Sequence, residues 1–245
     1  MASRKPETSD LSDGISLQSV ILQFSLMCAV LYFWSSPFIH PVKIMVVLFH
    51  EMGHGLMALL TGGKVLAISI AVDEGGGCQT EGGLPLLIVS AGYLGSMFFG
   101  GVILYLSRFR VFVPMVYGIL TLMLISATFT VLEGSYSKTF AGVLATIFIF
   151  LGFLTPVAIG GLVLRAIGTV SCVYSIYDIY WDILARHGTQ AVRNDAVIFS
   201  DMSGIPAQSI GMAWLAGAIV FFLFVLRLTV KVTAEESAQM RGAAA

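Results

Sequence analysis

The chain has 245 residues, a formal charge of -1, 57% hydrophobic and 11% charged residues and a mean hydropathy of +0.92. A water-soluble surface cannot be covered with so little charge, since ordinary soluble domains carry about a quarter charged residues. The formal charge disfavours nucleic acid as a partner. The length allows one bundle of membrane spans and no second soluble domain.

Residues 1–14 are polar and read as a disordered N-terminal segment. The apolar run beyond them is long enough to span, so it reads as a retained helix and not as a removed leader. Apolar runs bounded by charge, glycine or proline predict about seven spans, near 15–34, 37–60, 84–107, 111–132, 140–160, 162–184 and 209–230. Between the second and third spans, 64–83 begins with alternating apolar residues and continues into a glycine-rich turn with Asp73 and Glu74. That pattern predicts a short β-hairpin at or in the membrane, with an edge to which an extended peptide can add as a strand through Ala67 to Ile70. Residues 186–208 mix charge, Asn, Gly and Pro and read as a loop with at most one amphipathic turn. The expected fold is therefore an all-α, multi-pass integral membrane protein with one hairpin after its second span. Residues 15–230 form the membrane-embedded domain and 231–245 a polar tail. Lys and Arg are nearly evenly divided between the two sides, so they assign no orientation. Cys28, Cys78 and Cys172 form neither a disulfide framework nor a Cys-x-x-Cys pair.

The second span contains His50-Glu51-Met52-Gly53-His54. Four helical residues turn the backbone by about 400°, so both imidazoles lie on one face and can reach one ion. Glu51, rotated by about 100° from His50, stands beside such an ion, where a carboxylate can take a proton from water. Ionisable residues cost about 2.5 to 3.5 kcal/mol each at the centre of a membrane helix, so three within five positions face a polar interior and have a task.

Catalytic zinc takes a third protein ligand and leaves a position for water. His40 is roughly 15 Å up the helix from His50 at 1.5 Å per residue, too far to complete the site. A carboxylate is the better candidate. Asp178, deep in the sixth apolar run, ranks first as third ligand, with Asp182 and Asp195 as alternatives. Asp182 also reads as an interfacial residue beside Tyr180 and Trp181, and Asp195 as a cap or turn.

HEMGHGLMALLTGGKV, ISIAVDEGGGCQTEGG, AGYLGSMFFGG and, later, YSIYDIYWDI and NDAVIFSDMSGIPA resemble the peptidase M50B-like branch of the site-2 protease class of membrane-embedded zinc metalloproteases. The likeness runs from about Ile44 to Trp214. It implies that His50 and His54 are zinc ligands and Glu51 the catalytic carboxylate. The Leu-Asp-Gly tripeptide that supplies the third ligand in better-studied site-2 proteases does not occur here. The expected function is zinc-dependent intramembrane hydrolysis of peptide bonds in membrane-protein substrates, with the lipid bilayer as surroundings and Zn2+ as cofactor. The alternative is a non-proteolytic scaffold or metal-binding protein on the same fold.

Overall fold

A computed structural model describes residues 15–185 and 194–231. The expected disordered N-terminus, His187 and residues 232–245 of the expected tail lie outside the described residues. In chain order the elements are α1 (Leu17–Tyr32), α2 (His40–Leu60), β1 (Lys64–Ile70), β2 (Gly76–Glu81), α3 (Pro85–Leu106), α4 (Phe112–Thr130), α5 (Ser135–Ile149), α6 (Val157–Asp178), α7 (Asp195–Ser203) and α8 (Ala207–Thr229). Wider π-helical turns, Phe150–Leu154 and Ile179–Ala185, extend α5 and α6.

Among the described residues, six helical stretches, counting those extensions, are long and apolar enough to cross a membrane. The protein is an integral, multi-pass membrane protein. The first expected span falls short: α1 has 16 residues, about 24 Å at 1.5 Å per residue against a hydrocarbon core of about 30 Å. The break between the fifth and sixth spans, expected at Gly160 and Gly161, lies at Thr155 and Pro156. A residue before proline is driven out of the helical region, and proline then opens the next helix. Gly160 and Gly161 sit inside α6.

Small residues bring the central helices together, as packing in lipid requires. A side chain on Gly53 would overlap the Ala91 carbonyl, drawing α2 onto α3, and one on Gly100 or Gly168 would strike α6 or α3. One apolar cluster gathers residues such as Leu48, Phe49, Ile68, Tyr117 and Phe148 from α2, the hairpin, α4 and α5. A second gathers Tyr93, Met97, Ile183, Ala196 and Trp214 around α3, α7 and α8.

The hairpin follows α2 as expected. Its strands pair antiparallel from Lys64–Glu81 to Ile70–Gly76, with an irregularity between Val65 and Ala67. The outer edge of β1 is already engaged: Ile68 N–H donates to Val131 O at 2.8 Å, Ile68 O accepts from Glu133 N–H at 2.8 Å, and Ile70 N–H donates to Ser137 Oγ at 3.0 Å. Ala67 to Ile70 therefore offer no free edge for an incoming strand.

Candidate metal centre

The helical phase of α2 places His50 and His54 one turn apart, with ring centroids 4.8 Å apart. His54 Nδ1–H donates to the carbonyl of Ile88 at 2.7 Å. That bond fixes the tautomer and leaves the Nε2 lone pair for an ion, the usual arrangement around a metal-ligating histidine. Tyr93 stands edge-on to the His50 ring at 4.6 Å and also contacts Trp214, which in turn meets Phe199 of α7. Three helices thus hold the His50 ring in place.

Asp195 supplies the third group. Its Oδ2 lies 3.0 Å from His50 Nε2 and 3.3 Å from His54 Nε2. Ligands about 2.0 to 2.2 Å from a tetrahedral zinc stand roughly 3.3 to 3.5 Å from one another; the contact to His54 matches that spacing, the contact to His50 is shorter, and the three ligand atoms together span up to 4.8 Å. The orientation fits as well. Among the described residues the buried Oδ2 has no polar partner besides the two imidazoles, so nitrogens and oxygen converge on one another. Among the described residues these three form a group able to hold a metal, with ligand atoms within 4.8 Å.

Gly92 of α3 closes the cradle. A Cβ built on it would fall among His50 Nε2, His50 Cε1 and His54 Nε2, in the space an ion needs. Glu51 is 6% exposed, and a Cβ on Gly76 of β2 would overlap its carboxylate. The hairpin therefore lies directly on the acid. His50, Glu51, His54, Asp195 and Gly76 line a cavity of about 460 Å³ that also includes Glu74, Cys78, Tyr93, Asp178, Asp182 and Asn194. Burial, then the charge of Glu51, pushes the Cys78 thiol up to about 12.

Of the three carboxylates considered from sequence, Asp195 stands with the imidazoles, while Asp178 and Asp182 line the same cavity outside that group. Asp195 reaches it because residues expected as loop form helix α7. Asn194 caps that helix, its Oδ1 accepting from Val197 N–H at 3.1 Å, and its Nδ2 donates to Asp182 O at 2.9 Å. Gly204, at φ 74°, ends it in the left-handed conformation. An Asn followed by Asp and stopped by Gly nine residues on is a legible helix signal. Gly92, Gly76 and Tyr93 carried no such signal, because a close approach between helices leaves no trace in residue spacing. His40 lies away from the cluster, as expected, bonded to Glu74 and Val72 O.

The profile of the family described as Peptidase M50B-like matches residues 24–225. No curated protein and no solved structure matches the chain.

Proposed function

The chain belongs to the Peptidase M50B-like family, and on that premise we propose that it is a zinc-dependent intramembrane endopeptidase in which His50, His54 and Asp195 hold the ion and Glu51 moves the proton. The observation carrying this reading is the convergence of two imidazole nitrogens and an otherwise unpaired, buried carboxylate oxygen on one point. His50, His54 and Asp195 would hold the ion, which would supply Lewis acidity toward water and toward a peptide carbonyl. Glu51, on the same cavity wall, takes the proton from water and returns it to the leaving amine. The His54 bond to Ile88 O and the Tyr93 ring against His50 keep both imidazoles aimed while substrate enters and leaves.

The substrate class follows from the location. A transmembrane helix hides its carbonyls in its own hydrogen bonds, so the scissile stretch of a membrane-protein substrate has to unwind. Strand pairing replaces the bonds lost. With β1 engaged at Ile68 and Ile70, the strand that receives it is β2, whose Gly76, Gly77, Cys78 and Thr80 line the cavity. A purely metal-binding or scaffold role would leave the buried Glu51 without a task.

The test is metal analysis and cleavage of a membrane substrate by protein purified in detergent. Glu51→Gln keeps zinc and loses hydrolysis, whereas His50→Ala and Asp195→Asn lose both. Asp178→Asn keeps zinc. Cleavage surviving in Glu51→Gln removes the mechanism, and zinc lost from Asp178→Asn but retained by Asp195→Asn transfers the third ligand to Asp178.

A further inference from the structure

Glu74 is unused by the hydrolytic chemistry and sits in an unfavourable backbone conformation. Its φ is 67°, the one positive value among described non-glycine residues, a region that a residue with a Cβ enters at a cost and glycine enters freely. Three glycines follow it directly, so a cheaper residue for this turn is abundant nearby. The side chain accounts for the choice. Glu74 Oε1 accepts from His40 Nδ1 at 3.2 Å and from Lys43 Nζ at 3.5 Å, and Oε2 accepts from Tyr174 OH at 3.0 Å. The other ring nitrogen of His40 lies 2.9 Å from Val72 O; a neutral ring, with its single N–H, donates to one of these two acceptors, and a protonated ring donates to both. Lys43 is itself held over the Trp34 ring at 4.8 Å, and Trp34 contacts Tyr174.

These bonds join the hairpin turn to the start of α2 and to α6, which wall the cavity from two sides. Two residues beyond Glu74, Gly76 rests on Glu51. We propose that Glu74 is a positioning residue: with His40, Lys43 and Tyr174 it clamps the hairpin so that β2 lies along Glu51 and the metal cluster, and its release opens the cavity to an extended segment of a membrane-protein substrate. The clamp rests on the peptidase reading only for what the cavity admits. The geometry that closes it is independent of zinc.

Cys78 gives a native reporter, because it lines the cavity on β2 while Cys172 is fully buried in the helix bundle. In full-length Cys28→Ser protein in detergent, alkylation of Cys78 by a water-soluble maleimide is followed by mass spectrometry, with Cys172 as the control for folding. Glu74→Gln raises the Cys78 rate about tenfold, the equivalent of losing one hydrogen bond to a charged group, while Cys172 stays unreactive. Lys43→Glu, which faces one carboxylate with another, does the same. Lys43→Glu combined with Glu74→Lys re-forms the ion pair between these positions but not the carboxylate's contacts with His40 and Tyr174, and so recovers part of the slow rate, a rescue that a merely structural residue would not show. Wild-type reactivity in Glu74→Gln with Cys172 protected overturns the clamp, as does a charge-swapped protein as reactive as either single variant. Should Cys172 also react in Glu74→Gln, the comparison between Lys43→Glu and the swap decides by the same criterion. Zinc is measured on every sample: a wild type without zinc counts against the peptidase reading and leaves the clamp to be decided by alkylation alone.

Discussion

At the metal centre a tight constraint falls on a residue with no side chain. Gly92 faces both histidines across the α2–α3 contact, and a methyl group there would occupy the space between their Nε2 atoms. The Gly92→Ala substitution is mild for a membrane helix, since alanine is the best helix former and the exchange changes no polarity. Zinc affinity nevertheless falls at least about 100-fold, beyond the 10- to 100-fold usual for changes in groups that merely support a ligand. Metal content and thermal unfolding in detergent check this together. Lost zinc with an unchanged melting profile of the metal-free protein is expected, whereas full zinc occupancy in Gly92→Ala would place the ion elsewhere.

Among the elements, the long apolar helices were legible because hydrophobic length alone defines a span, and the hairpin because its alternation ends in a glycine-rich turn. His50, Glu51 and His54 were legible for a related reason: helical phase brings them together within one element, with no tertiary information. Asp195 was harder to rank. Depth in an apolar run favoured Asp178, yet the acid that meets the histidines is the first residue of a nine-residue helix outside the spans, carried there by packing of α7 on α3 and α8. The device that sets its position is Asn194, which caps α7 and grips the π-helical turn after α6 through Asp182 O. Asn194→Ala removes both bonds. The lost cap costs about 1 kcal/mol of stability, and zinc affinity falls about 10- to 100-fold as Asp195 drifts. Asn194→Ser restores the cap without the reach to Asp182. It therefore recovers stability while zinc affinity stays low, and recovery of both in a zinc titration would show that capping alone positions Asp195.

At the scale of the whole molecule, the metal cluster lies where the two apolar clusters meet. His50 and His54 belong to α2, packed with the hairpin, α4 and α5, whereas Asp195 adjoins Ala196 in the cluster around α3, α7 and α8. An ion held by all three binds the two halves together, but each half has its own packed interior. Chelation should therefore loosen the junction and leave the bundle folded, unlike a zinc finger, whose fold is lost with its metal. The stability withdrawn is the linkage energy, about 2.7 kcal/mol for free zinc at 100 times its Kd. Hydrogen exchange localises the effect: on adding a chelator, protection falls in α7 and its junction with α8, while α4 and α5, remote from Asp195, keep theirs. Uniform loss of protection across the bundle would mean that zinc holds the entire fold, and no change in α7 would mean that Asp195 does not share the ion.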